Sequence, residues 1–302
     1  MHTHDHGTAT GRNRGRLLVA LAVTASVALV QVVGGVLSGS LALLADAGHM
    51  AVDSLGLTVA LGAAVLAARP ATALRSYGWQ RAEVLAALVN GLLLLGVAVW
   101  VVVEAVRRWD APPEVATGLM LGTAVLGGLA NLLALLVLRP AHQQSLNLRG
   151  AYLEVLADLV GSVLVVVAAL VIWATGWTRA DVVASLLVAA LVLPRAWSLL
   201  GEVVHVLLEA TPRGLDLDVV REHLREVPAV VDVHDLHAWT ITSGSPALSA
   251  HVVVDPTCVA RGDVGQVLDA LARCVAEHFD VEHSTFQLEP VGHREHEAVG
   301  HA

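Results

Sequence analysis

The chain has 302 residues, of which 56% are hydrophobic and only 15% charged, and its mean hydropathy is +0.68. Soluble domains carry about 25% charged residues and about 45–50% apolar ones, so a soluble enzyme of this length is excluded. A net charge of −9 argues against nucleic acid as a partner. Cys258 and Cys274 form no CxxC, which leaves neither a disulfide framework nor a thiolate metal site.

Residues 1–16 read as a polar tail with His2, His4 and His6 followed by Arg12, Arg14 and Arg16. Residues 17–208 carry six apolar runs, Leu17–Leu37, Leu41–Leu66, Val84–Val106, Val115–Leu138, Ala151–Thr175 and Val182–Leu200. Each comes near the ~20 residues that cross hydrocarbon as a helix. The first is too long for a signal-peptide core and reads as a retained span. The sixth contains Pro194 and Arg195, and a kink or snorkelling at its end is expected. Nine arginines lie in the tail, the 2–3 and 4–5 loops and the end of span six, against Arg107, Arg108 and Arg179 on the other side. Positive residues stay cytoplasmic, so both termini are expected inside, in a multi-pass protein of the cytoplasmic membrane surrounded by lipid.

From residue 209 to 290 the pattern changes to an amphipathic helix over Asp216–Val227, then Val230–Ile241 and Ala247–Val254 around a four-residue turn at 243–246. A second helix over Gly262–Phe279 and a third strand over His283–Glu289 complete an αββαβ order. The expected fold is α-helical membrane protein plus a C-terminal α+β domain, ferredoxin-like in outline. A tail with His293, His296 and His301 follows over 291–302, and the terminal histidines are read as weak metal captors.

Ionisable groups inside spans are the informative ones, since each costs about 2.5–3.5 kcal/mol to insert. Span two holds Asp46, His49 and Asp53, and span five holds Glu154 and Asp158. Residues four apart share a helix face, so His49/Asp53 and Glu154/Asp158 each make a two-ligand claw. One imidazole and three carboxylates suit Zn²⁺ or another first-row divalent ion. Buried salt bridges are the plainer alternative, but no arginine is expected in the middle of any span to neutralise the acids. Asp46 reads as a group behind the ligands. Gln31, Asn90 and Asn131 read as interhelical hydrogen-bonding groups, and Glu104 as a snorkelling one.

The stretches LLADAGHMAVDSLGL, YGWQRAEVLAALVNG, AYLEVLADLVGS and DLHAWTITSG together resemble the cation diffusion facilitator family, in its bacterial zinc/cadmium/cobalt efflux branch. The resemblance runs from about Arg16 to Glu289. It implies a homodimer of six-helix subunits with a cytoplasmic ferredoxin-like domain, exporting a divalent metal in exchange for protons, with Zn²⁺ as substrate and possible regulatory ion. Carried over residue by residue, the transport site is His49, Asp53, position 154 and Asp158. Position 154 departs, because the family usually has His where this chain has Glu154; that hardens the donor set and opens Co²⁺, Fe²⁺ or Mn²⁺ as rival cargo. The 2–3 loop contains neither His nor Asp, so a further metal site found there in some members is expected to be missing; Arg69, Arg75, Arg81 and Glu83 suggest charge pairing instead. In the C-terminal domain the resemblance places regulatory metal at His234 and His251, with His283 as the third ligand and Glu289 also on the last strand. The Gly34-Gly35 and Gly127-Gly128 pairs would let helices rock between two states. An intramembrane metalloenzyme would need an HExxH-type motif, which is missing, so no enzymatic activity is expected. A membrane-anchored metal sensor would need spans without ligands, which the two claws contradict.

Overall fold

The computed structural model describes residues 7–139 and 146–293. The terminal histidines His2, His4, His6, His296 and His301 lie outside the described residues. The chain divides into two compact units, residues 1–62 with 86–200 and residues 63–85 with 201–302.

The first unit is built mainly from helices α1 (Gly7–Ser38), α2 (Leu41–Ala67), α3 (Ala82–Arg108), α4 (Thr117–Leu138), α5 (Leu146–Thr175) and α6 (Arg179–Leu207), with the end of α2, the start of α3 and the end of α6 belonging to the second. Among the described residues, five of these are long and apolar enough to cross a membrane, and α1 supplies a shorter apolar stretch, Thr24–Ser38. Pro194 does not end α6, which runs through it to Leu207. Leu29, Leu61, Leu133 and Trp173 stand exposed on this unit. Such a surface is stable only against hydrocarbon, where helices satisfy their own backbone groups.

Helix α2 sits between two sets of neighbours. On one side Val52 meets Leu94 and Ala98 of α3 and Val192 and Ala196 of α6. On the other, Ala42 and Leu43 meet Met120 and Ala124 of α4 and Val165, Ala168 and Ala169 of α5. Small residues bring helices close, as membrane bundles require. A Cβ on Gly34 would lie 2.5 Å from Thr123 of α4, and one on Gly127 would lie 2.5 Å from Gln31 of α1. The glycine pairs singled out in the sequence therefore sit at crossings of α1 with its neighbours.

The start of α2 is held from another helix. Asp181 of α6 accepts from the Leu41 and Ala42 amides at 2.7 and 3.1 Å and from Ser40 Oγ at 2.5 Å. The free N–H groups of a helix start favour a carboxylate, and here the carboxylate comes from about 140 positions along the chain. Close by in sequence, Glu104 pairs with Arg108 at 2.9 Å, and Arg108 donates to the Gly39 carbonyl.

In the second unit Arg75 stacks over Trp79, 3.8 Å from the ring centroid, Arg81 pairs with Glu209 at 2.8 Å, and Glu83 accepts from Thr242 at 3.0 Å. Then come α7 (Leu217–Arg225), β1 (Val230–Thr242), β2 (Ser245–Val254), α8 (Pro256–Arg261), α9 (Val264–Phe279) and β3 (His283–Pro290). Asp216 caps α7 by accepting from the Asp218 amide at 2.9 Å. The sheet has order β1-β2-β3, with β1 and β2 antiparallel and β2 and β3 parallel. Val220 and Leu224 of α7 and Val267, Leu271 and Val275 of α9 form one core with Leu248, Ala250 and Val252 of β2.

The hairpin differs from the expected one. Its turn is two residues, Ser243-Gly244, because Gly244 takes φ +74 at no steric cost. The strands then pair with irregularities, one of them between His234 and His237, where Asp235 adopts φ +48. His251 faces His234, while His237 faces Ser249. A four-residue turn with regular pairing would have set His251 against Ala238.

Candidate metal centre

The periodicity of α2 and α5 brings the first cluster together. His49 Nε2 lies 3.0 Å from Asp158 Oδ1, so the two claws do face each other. His49, Asp53 and Asp158 are buried. Asp53 Oδ1, Asp158 Oδ2 and His49 Nδ1 have no hydrogen-bond partner among the described residues. Buried carboxylate oxygens without donors are costly unless a cation completes them. A cavity of about 30 Å³ lies here, lined by His49, Asp53, Ala157, Gly161, Val192 and Arg195 among others. That is room for one or two water-sized occupants.

Asp46 sits behind His49. Its Oδ2 accepts from Gln31 Nε2 at 2.9 Å and from Ser162 Oγ at 3.3 Å, and its Oδ1 stands 4.0 Å from His49 Nδ1. The imidazole is held at Nε2 by Asp158, with the Asp46 carboxylate near Nδ1 but beyond hydrogen-bonding distance. Gly161 makes room for this: a Cβ there would fall 2.2 Å from Asp46 Oδ1. Gln31 thus bonds between helices as expected. Asn131 is buried with neither side-chain atom paired among the described residues.

One group was not foreseen. Arg195 of α6 reaches the cluster, its Nη1 3.2 Å from Asp53 Oδ2 and its Nη2 3.2 Å from Glu154 Oε1. The expectation that no arginine stands among the acids is overturned. An arginine side chain is long enough to carry its guanidinium well away from its backbone, so a residue that sequence places near the end of a span can lie well inside it. The signal was present in the sequence as a lone Arg in an otherwise apolar run.

The second cluster lies on the sheet. Glu289 accepts from both imidazoles, Oε1 at 2.7 Å from His251 Nδ1 and Oε2 at 3.1 Å from His234 Nε2. The two rings are 5.2 Å apart between centroids. His234, His251 and Glu289 each offer a ligand atom within 4.8 Å of the others. His283 is not with them. It opens β3 opposite Ala247 and contacts Tyr77, with Nε2 3.4 Å from the phenol oxygen. The parallel register decides this, since it sets Gln287 beside His251 and places the far end of β3 at the cluster. His237 turns to Asp235 at 3.1 Å.

Five long apolar helices, with a buried imidazole and buried carboxylates between them, describe a multi-pass membrane protein. Residues 17–208 match the cation efflux transmembrane domain, and residues 212–291 match the cytoplasmic domain of cation efflux proteins. The chain belongs to the cation efflux family. It is 43% identical to the metal cation efflux system protein CzcD of Cupriavidus metallidurans, over 95% of this chain and 89% of the relative. It is also 43% identical to the zinc transporter ZitB of Escherichia coli, over 95% and 92%. The cadmium, cobalt and zinc/H(+)-K(+) antiporter of Bacillus subtilis matches at 36% over 99% and 94%. A solved metal-bound C-terminal domain of the Cupriavidus CzcD transporter overlaps 25% of this chain and 99% of its own at 37% identity, with TM-score 0.23.

Proposed function

We infer that the protein exports a divalent metal from the cytoplasm, zinc first and cadmium and cobalt next, in exchange for protons. The observation that carries this is the buried contact between the claws, His49 Nε2 to Asp158 Oδ1 at 3.0 Å, beside a small cavity that His49 and Asp53 line. The names of the relatives, zinc transporter and cadmium, cobalt and zinc antiporter, point to the same cargo. Metal takes the place between α2 and α5, and on its departure protons settle the carboxylates it leaves behind. Three carboxylates to one imidazole make a harder donor set than the usual two and two, which favours Co²⁺, Fe²⁺ and Mn²⁺ more than the family pattern does.

The working unit of this reading is a homodimer in the cytoplasmic membrane with both termini inside. His234, His251 and Glu289 hold a second ion in the C-terminal domain; two imidazoles and a carboxylate are a fitting zinc donor set, and Glu289 is buried between both rings. That ion would supply a charge that ties β1, β2 and β3 together.

Uptake into proteoliposomes under an imposed pH gradient tests the reading. Zinc moving only with the gradient, and not in Asp158→Ala, is the expected result. No movement of Zn²⁺, Cd²⁺ or Co²⁺ by the wild type would overturn it and favour the sensor reading.

A further inference from the structure

Arg195 is out of place in a cation site, because a guanidinium repels the ion that the neighbouring groups attract. Yet it lines the same cavity as His49 and Asp53, and it bridges one carboxylate from each claw at 3.2 Å. The two ends of that bridge differ in freedom. The side chain of Asp53 is 5% exposed, whereas that of Arg195 is 46% exposed, so the arginine has somewhere to go and the aspartate does not. Charge explains the pairing. Asp53, Glu154 and Asp158 ionised give the site −3, and Arg195 returns it to −2, which a divalent ion neutralises. A site of two imidazoles and two aspartates reaches −2 without any arginine.

We propose that Arg195 is a tethered counter-cation: it offsets Glu154, holds Asp53 and Glu154 together when no metal is bound, and withdraws toward its exposed side as the metal enters. This rests on the membrane cluster being the transport site. Glu154 and Arg195 then act as a unit that sets metal affinity, and neither is neutral to change by itself. Removing the arginine leaves excess negative charge, which binds metal tighter and releases it more slowly. Replacing the glutamate by histidine leaves the arginine to compete for Asp53, which weakens binding. Removing both restores −2 with four ligands.

The test is zinc transport by full-length protein in proteoliposomes, with KM and kcat measured for wild type, Arg195→Gln, Arg195→Lys, Glu154→His and the double variant E154H/R195Q. Arg195→Gln is expected to lower KM and kcat together by about tenfold, and Glu154→His to raise KM by about tenfold, with the double variant within about threefold of wild type. Arg195→Lys, which keeps the charge and loses the fork, should stay closer to wild type than Arg195→Gln. If Arg195→Gln and Glu154→His both raise KM and the double variant is as poor as the worse single, the arginine only braces the helices and the proposal falls. Should Arg195→Gln fold poorly, Arg195→Lys and the double variant decide: a double variant no better than Glu154→His alone also overturns it. Wild type that moves no metal brings down the transport reading itself, and the proposal with it.

Discussion

Replacing Gly161 by alanine puts a methyl group where Asp46 already is. The new Cβ would stand 2.2 Å from Asp46 Oδ1, and nothing there yields easily, since Asp46 is fully buried and tied to Gln31 at 2.9 Å and Ser162 at 3.3 Å. Relief requires the carboxylate to move by roughly 1 Å, toward ordinary contact distance. Overpacking of this kind costs about 1–3 kcal/mol. Loosening the charged Gln31 bond adds about 1.5–3 kcal/mol. The variant should therefore lose about 2.5–6 kcal/mol, or about 4–10 °C in Tm for a chain of this length. Because Asp46 Oδ1 stands 4.0 Å from His49 Nδ1, its displacement moves a negative charge beside the imidazole, and zinc transport should fall by about tenfold or more. Thermal unfolding in detergent and proteoliposome uptake read the two effects. Gly62→Ala is the control, since a Cβ there meets nothing within 4 Å. A Gly161→Ala protein as stable and active as Gly62→Ala refutes the reasoning.

Asp158→Asn should cut zinc transport by at least about 100-fold while leaving folding intact, checked by uptake and by size-exclusion profile. In the C-terminal domain, Glu289→Ala should reduce the rise in thermal stability that zinc gives the full chain, leaving the part due to the membrane cluster, and His251→Ala should do the same, whereas His283→Ala should keep all of it. Leu271→Ala, at a fully buried position of α9, should cost about 2–5 kcal/mol by cavity formation, read by chemical unfolding of that domain's signal. Asp255 caps α8, and hydrogen bonds from the Thr257 side chain and backbone hold its carboxyl below the usual carboxylate range. Its folded-state value is depressed, so its contribution is present above the ordinary carboxylate titration and lost as pH falls through the folded value. Asp255→Asn should then be the less stable protein at neutral pH and converge with wild type in acid.

The parts legible in the sequence are those that one helix period or the bilayer dictates. His49 and Asp53, four apart in an apolar run, could only share a face, and an acid pair such as Glu154 and Asp158 costs too much in lipid to lack a partner group. The C-terminal ends of α1 and α5 were legible because Gly39 and Gly176, both at positive φ, close them, whereas α1 starts ten residues before, and α6 ends seven residues after, the apolar runs. What was not legible depends on reach and register. The guanidinium of Arg195 crosses from α6 to α2 and α5, and no pattern in one chain states which helices are neighbours. In the sheet, a two-residue turn and an irregularity at Asp235 moved His251 from Ala238 to His234. The same uncertainty set Glu289 rather than His283 beside them, although both lie on the same face of β3 by parity.

Asp181 gives the proposed cation site a lever. The carboxylate of α6 pins the first turn of α2, whereas the contacts that matter for cargo lie at Asp53 and Arg195, a dozen or so residues further along each helix. At 1.5 Å per residue those points are about 18–21 Å from the pin. Opening the angle between the two helices by about 5° then displaces one against the other by about 1.5 Å. That stretches a 3.2 Å ion pair beyond hydrogen-bonding distance while the pinned end hardly moves. In the proposed transport site, a shared fulcrum of this kind would turn a small tilt into a gate for the ion.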